Sequence, residues 1–282
     1  MIPAMIPVMI RHRLLRQKIA HPRSSLPCTL PGCAGIILQL ALLGRKHGVR
    51  VEWSDVFRAV RGSKPQTSEL AEQLSICGVL MCRTSLVMLV YSSATSLVAR
   101  SGVSALSAAH QIAFQLWLAS SLLADSLAVA AQSLMAKSHG ETTQSQRDAC
   151  DIASLCLRYA VVLGTIMTAL MHFGMPKIVP GFTSNPDVQK ALSTVEVYVV
   201  FSQIVSSVAF VLDGIVYSFG APGFRHATIS MLYSAAISIA TMWSASRWFL
   251  LDPLPAAWIG LVALMITRAG TMSTYLWGRR PV

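Results

Sequence analysis

Six long apolar runs dominate this sequence and decide what it can fold into. They cover approximately residues 74–99, 103–136, 152–175, 191–217, 226–246 and 254–278. Each is long enough to cross about 30 Å of hydrocarbon, which takes about 20 helical residues. Because every backbone polar group must find a partner within the protein in lipid, such runs form helices. The sequence therefore predicts an all-α, polytopic membrane protein built as a six-transmembrane-helix bundle.

The composition agrees with a membrane location and argues against a soluble one. Only 12% of the residues are charged and 54% are hydrophobic, whereas an ordinary soluble domain carries about 25% charged residues. The net charge of +11 arises from basic residues that lie mostly between the apolar runs, as in cytoplasmic loops. We therefore expect a lipid bilayer as partner and do not expect nucleic-acid binding.

The rest of the chain divides into short segments around the bundle at 74–278. Residues 1–33 form an atypical basic N-terminal segment. The first 51 residues hold eight Lys or Arg and no Asp or Glu, which resembles a transit peptide, although a short basic leader or the start of a truncated chain would look the same. Residues 34–73 are interpreted as the end of a truncated helix followed by a basic cytoplasmic loop, and 279–282 as a basic tail.

Loop charges and helix-start residues give orientation and boundaries. Alternate loops hold eleven and four Lys or Arg, which places both ends of the bundle on the cytoplasmic side, or the stromal side in a plastid. Asn185, Pro186 and Asp187 form a helix start with cap, first-turn proline and dipole-facing carboxylate. Gly220 and Pro222 predict a tight turn before the next helix.

Four charged residues lie well inside the apolar runs: Arg83, Asp125, Asp213 and Arg268. An unpaired charge at the bilayer centre costs about 2.5–3.5 kcal/mol, so these side chains must face one another, water or the bundle interior. Two roles for the carboxylates stay open. They either hold the bundle together through the structural arginines Arg83 and Arg268, or bind and release a proton or Na⁺.

Uncharged polar residues accompany each carboxylate. Gln111, Gln115 and Gln132 fall within about a 100° sector with Asp125 on one helix, which predicts a polar seam turned into the bundle. Gln203 and Ser206 precede Asp213 on nearly the same helical face. All five are candidate cavity-lining residues. His110, close to the start of its run, is expected to form hydrogen bonds near the membrane interface.

The sequence carries no signature of catalysis or of metal binding. It lacks the nucleophile-elbow, phosphate-loop, zinc-protease and dinucleotide-binding patterns. Its cysteine pairs, Cys28/Cys33 and Cys77/Cys82, each enclose four residues, whereas zinc sites favour tighter spacings. We expect neither an enzyme nor a bound metal or cofactor.

Several segments resemble one transporter family. The segments "SALSAAHQIAFQLWLASSLLADSLAVAAQSLMA" (104–136), "GFTSNPDV" (181–188), "SSVAFVLDGIVYSFGA" (206–221) and "LMITRAG" (264–270) are similar, in this order, to the multidrug and toxic compound extrusion (MATE) transporters. They are most similar to the DinF-like branch of plants and algae, and the resemblance runs through residues 71–278.

The resemblance implies a fold and a function. Members have twelve helices in two six-helix lobes, and they extrude organic, often cationic, compounds in exchange for H⁺ or Na⁺. By this likeness the chain corresponds to the second lobe, and Asp213 matches an acidic residue lining that lobe's cavity. Asp125, Arg83 and Arg268 match polar positions of the branch. The implied location is a multi-pass position in the plastid envelope, or otherwise in the plasma or vacuolar membrane.

Two differences from the family pattern leave an alternative open. The family's Gln-Pro-x-Asn in the fourth helix is here Gln203-Ile204-Val205-Ser206, which lacks the proline that would kink the helix. A first lobe is also missing, so transport would require another chain or a second copy of this one. The function expected is therefore cation-coupled efflux of small organic substrates by a partial chain. The alternative is a non-transporting, truncated or degenerate paralogue, or a gene-model fragment.

Overall fold

The computed structural model describes residues 67–138, 143–248 and 250–278. These residues form six α-helices, and no strand occurs among them. The helices are α1 Thr67–Ala99, α2 Ser104–Ser138, α3 Thr143–Phe182, α4 Pro186–Tyr217, α5 Ala221–Arg247 and α6 Pro253–Trp277. The described residues from Ser75 onward form one compact unit. The all-α, six-helix architecture is confirmed, while residues 1–66 and the tail at 279–282 lie outside the described part.

The helix ends differ from the predicted runs in places with a physical cause. Helix α3 continues through Pro176 and Pro180, since the loss of single backbone bonds is tolerated in a membrane helix. The predicted start of α4 is confirmed, because the Asn185 side chain accepts a hydrogen bond from the Asp187 backbone N–H at 2.9 Å. Gly220 has a φ of 68° at the turn before α5, a conformation that glycine adopts without strain.

Five of the six helices are long and apolar enough to cross a membrane, and α5 is the exception within the described ranges. Helix α5 has 27 residues, so its length suffices. Its composition is more polar because seven of those residues are Ser or Thr. Three of these serines, Ser230, Ser234 and Ser238, are buried, so much of this polarity faces the interior of the bundle.

Helix α4 is the central element of the bundle. In its most apolar 18-residue window 72% of the residues are buried, against 17% for α3 and 6% for α1. Glycines allow two neighbours to approach it closely. A Cβ added to Gly214 would lie 2.2 Å from the Ala128 carbonyl oxygen of α2, and one added to Gly164 of α3 would lie 2.7 Å from Ile204 Cα. Small residues at helix crossings are typical of membrane proteins.

Candidate functional site

An ion cluster joins three helices beside the α2–α4 crossing. Asp213 of α4 is only 3% exposed. Its Oδ2 atom accepts hydrogen bonds from the Nη2 atoms of Arg83 on α1 and Arg268 on α6, and a further one from Arg268 Nε at 3.0 Å. The structure thus brings together three of the four charges that the sequence places inside the membrane. Their grouping offsets the cost of burying each alone.

Each of the two guanidinium groups also lies over an aromatic ring of α4. The Arg83 Cζ atom lies 5.4 Å from the centroid of the Tyr217 ring, and the Arg268 Cζ atom lies 4.6 Å from that of Phe210. Both distances are in the range of a cation–π contact. With two cations against one anion, the cluster carries a net charge of +1, so it is not a simple neutral pair.

The polar seam of α2 lies on a different surface. Gln111, Gln115 and Asp125 are exposed and Gln132 is half-buried. Asp125 forms no hydrogen bond or ion pair with any residue in the described ranges. The expectation that this seam turns into the six helices is therefore wrong. The side of α2 that packs against the bundle consists mostly of small residues, with three larger ones among them: Ala109, His110, Ala113, Trp117, Ser120, Ala124, Ala128, Ala131 and Met135.

Gln203 and Ser206 share the buried environment of Asp213, as their spacing predicts. The Gln203 side chain accepts a hydrogen bond from the Ser120 hydroxyl at 2.7 Å and donates one to the Val199 carbonyl at 3.0 Å. Ser206 is 2% exposed. Both lie in the packed interior in this conformation, and their cavity-lining role stays a prediction that requires the bundle to open there.

Sequence reasoning missed a buried polar and aromatic cluster between α1, α2, α4 and α6. His110 is 1% exposed, and its Nε2 atom lies 3.3 Å from Thr95 Oγ1. The hydrogen bond expected for it is therefore present inside the bundle, while its position near the membrane interface stays a prediction. The Trp117 indole N–H donates to Ser202 Oγ at 3.1 Å. A scan for charges could not find these residues. The signal in the sequence was a hydrogen-bond donor, Trp117, on one apolar helix and an acceptor, Ser202, on another.

Comparisons with known proteins agree with this architecture. The MatE family model matches residues 80–242, a range that contains Arg83, Asp125 and Asp213 but not Arg268. The chain is 32% identical over 217 residues to Protein DETOXIFICATION 45, chloroplastic, of Arabidopsis thaliana, covering 76% of this chain and 37% of that protein. It is 35% identical over 191 residues to Protein DETOXIFICATION 44, chloroplastic, of the same plant, covering 68% and 35%.

A solved structure shows the same fold. A MOP superfamily transporter from Pyrococcus furiosus aligns with a TM-score of 0.62 and 16% sequence identity, over 72% of this chain and 44% of that one. The chain spans just over a third of the length of the curated relatives it matches. Since the family model covers more than half of the chain, and its helices suit a multi-pass membrane protein, the chain belongs to the MatE family of membrane transporters.

Proposed function

We propose that this six-helix lobe belongs to a secondary transporter that exports small organic compounds in exchange for H⁺ or Na⁺, with Asp213 as the coupling carboxylate. The function is transport rather than catalysis. The observation that carries the proposal is the position of Asp213, whose single charge holds arginines from α1 and α6 to the central helix. A change in that charge acts on three helices at once.

Electrostatics indicates how binding of a cation at Asp213 would be transmitted. Neutralising the carboxylate leaves the Arg83 and Arg268 guanidinium groups facing each other without compensation. Two like charges about 5 Å apart repel by about 3 kcal/mol at an effective dielectric constant of about 20. That energy shifts an equilibrium between two conformations by roughly a hundredfold. Helix α1, the least buried of the spans, is the element expected to move.

Asp125 is the second coupling candidate, and its setting suggests a different role. It is exposed on α2 in line with Gln111 and Gln115, so a solute or cation could reach it directly. A carboxylate on such a surface attracts organic cations. We propose that this seam contacts the transported compound, while Asp213 responds to the coupling ion.

The exposed seam also suggests a partner. A row of glutamines and a carboxylate facing lipid would be costly, so we propose that a second lobe covers it, supplied by another chain or by a second copy of this one. The solute path would then run between the two lobes. The alternative, a non-transporting member of the family, predicts no flux in any assembly of the chain.

For location, we propose the plastid envelope. The N-terminal composition resembles a transit peptide, and two relatives are described as chloroplastic. The full chain fused at its C-terminus to a fluorescent protein should give a ring around plastids in plant cells. A signal confined to the plasma or vacuolar membrane would contradict this location.

Transport can be tested with the purified chain in lipid vesicles. Ethidium, an organic cation, serves as probe, and an inward proton or sodium gradient supplies the driving force. We expect gradient-dependent ethidium movement that falls at least about tenfold in Asp213→Asn. Asp252→Asn, which removes an exposed carboxylate at the start of α6, is the matched control and should leave the flux unchanged.

The outcomes separate the two carboxylates. Flux that persists when both Asp213 and Asp125 are replaced by Asn would end the proposed coupling. Loss in Asp125→Asn with normal gradient dependence of the residual flux would support its contact with the solute. An absence of wild-type flux under both gradients would exclude transport by copies of this chain alone, which leaves a second lobe from another chain or the non-transporting alternative.

A further inference from the structure

The two oxygens of the Asp213 carboxylate are used unequally. Oδ2 accepts all the hydrogen bonds that Arg83 and Arg268 donate to this residue. Oδ1 is buried, and no residue in the described ranges donates a hydrogen bond to it. Buried polar atoms nearly always have a partner in protein or ordered water. Oδ1 is therefore the oxygen at which a proton can bind before either arginine has left Oδ2.

Two more buried polar atoms occur beside this cluster. Arg83 Nε, a donor, and the Tyr217 hydroxyl, a donor and acceptor, also lack a hydrogen-bonding partner within the part of the chain described. Tyr217 follows Asp213 by one helical turn on α4, so both side chains project from the same face. The Arg83 guanidinium lies over its ring. These atoms provide the mixture of donors and acceptors that holds buried water.

Tyr217 is the last residue of α4 and lies one helical turn beyond Asp213. Residues 211–216 are buried, whereas Tyr217 and the three residues after it are half-buried. The Phe224 ring of α5, 4.9 Å away, packs against it and fixes its position. By the loop-charge bias, the turn that follows faces the cytoplasmic or stromal side.

We propose that Tyr217 and water bound between Asp213 Oδ1 and Arg83 Nε form the route by which a proton leaves Asp213 for the α4–α5 turn. This inference rests on the proposed function of Asp213. Because the Tyr217 hydroxyl is itself buried, release to the aqueous side requires the movement of α1 proposed above. The protonated carboxyl then gives its proton to the water, which passes one proton to the Tyr217 oxygen as the hydroxyl releases its own toward the turn. The balance is one H⁺ released, with the carboxylate restored and Tyr217 unchanged.

The charges around Tyr217 favour movement of the proton from Asp213 toward the α4–α5 turn. The groups that act on it electrostatically are Arg83 of α1, Asp125 of α2, Asp213 of its own helix and Arg268 of α6, while α5 contributes the uncharged Phe224. When Asp213 is ionised these charges cancel. When Asp213 is protonated the group carries +1, which repels a proton toward the turn. Tyr217 is thus a proton-transfer residue rather than a binding residue for solute.

Infrared difference spectroscopy on the full chain in lipid vesicles tests the route. The carboxyl band that appears at low pH is assigned to Asp213 by its loss in Asp213→Asn. Its rate of disappearance is then followed after a jump to high pH. In Tyr217→Phe, which keeps the ring over Arg83, we expect this rate to fall by roughly tenfold or more, as when a proton-transfer group is lost.

Two variants sharpen the test. Tyr198→Phe removes a hydroxyl from a half-buried tyrosine of the same helix and should leave the rate unchanged, whereas Tyr217→His restores a proton-exchanging side chain and should recover part of it. An unchanged rate in Tyr217→Phe with a normal Asp213 band overturns the route alone. A wild-type chain with no Asp213 band at any pH overturns both the route and the coupling role of Asp213.

Discussion

Asp213 and Asp125 lie on helices whose backbones touch, yet the two carboxylates occupy opposite environments. Asp213 is 3% exposed and bonded to two arginines. Asp125 is exposed and pairs with no charged residue in the described ranges. Burial makes the first carboxylate part of the structure that holds α1, α4 and α6 together. Exposure leaves the second free to meet a solute or another lobe. The same residue type thus acts inside the lobe in one case and at its surface in the other.

The largest effect should come from removing each carboxylate in turn. Asp213→Ala leaves two guanidinium groups without a counter-charge, and breaking a buried ion pair this way costs about 3–5 kcal/mol. Asp125→Ala should change the free energy of unfolding by no more than about 0.5 kcal/mol, as at other exposed sites. Denaturant titration in mixed micelles, followed by tryptophan fluorescence, measures both. Equal losses would mean that the two environments do not differ.

A second effect separates the two arginines. Arg268 donates two hydrogen bonds to Asp213 and its side chain is 4% exposed, whereas Arg83 donates one to Asp213 and is 15% exposed. We expect Arg268→Met to lower the free energy of unfolding by about 3 kcal/mol and Arg83→Met by about 1.5 kcal/mol.

The double variant Asp213→Ala/Arg268→Met checks that the losses of Asp213→Ala and Arg268→Met arise from one interaction. Its loss should be smaller than the two single losses together, with a coupling energy of about 0.5–3 kcal/mol. Strict additivity in the same denaturant titration would contradict direct pairing of the two residues.

A third effect arises at the crossing that separates the two carboxylates. In Gly214→Ala the new Cβ meets the Ala128 carbonyl at 2.2 Å, so α2 and α4 must move apart, at about 1–3 kcal/mol. Gly270→Ala is the matched control on α6, because no atom lies within 4 Å of its added Cβ. Its effect should be neutral or stabilising by up to about 1 kcal/mol. Thermal unfolding of the detergent-solubilised variants compares them.

The smallest effect is expected from single cysteines that test whether water reaches the exposed polar seam of α2. With the six native cysteines replaced by alanine, single cysteines at Gln115 and Asp125 should react with a water-soluble maleimide if the seam lines a solute path. A cysteine at Ile166, an exposed apolar position of α3, should not react because it faces lipid. Comparable protection of all three sites would place the seam in the acyl chains.

The helices could be predicted from sequence because length and hydropathy are properties of a single segment. The direction of the α2 seam could not. In a membrane the lipid is as apolar as the core, so an apolar stripe does not identify the packed side of a helix. Here Leu122 and Val129 are exposed while Ala124 and Ala128 pack inside. The packed side is recognised by small size, which a hydropathy scan does not weigh.

The ion cluster was half predictable. The free-energy cost of an unpaired charge in the membrane required the buried charges to find partners. The positions of the charges in the sequence do not show that Asp213 binds both arginines and that Asp125 binds neither. That choice depends on how α1 and α6 are placed around α4, which is a property of the assembled bundle. The single-oxygen geometry at Asp213 is likewise invisible in a linear sequence.

The ion cluster also has a consequence for how the chain is made. Arg83 is synthesised well before Asp213, but Arg268 follows it by 55 residues, which takes a ribosome roughly 3–11 s at about 5–20 residues per second. During that interval the aspartate has at most one of its cations. The charge of Asp213 on α4 is therefore fully paired only after α6 has been made. A nascent protein released before that point would present Asp213 to cellular quality control with one of its two arginines missing.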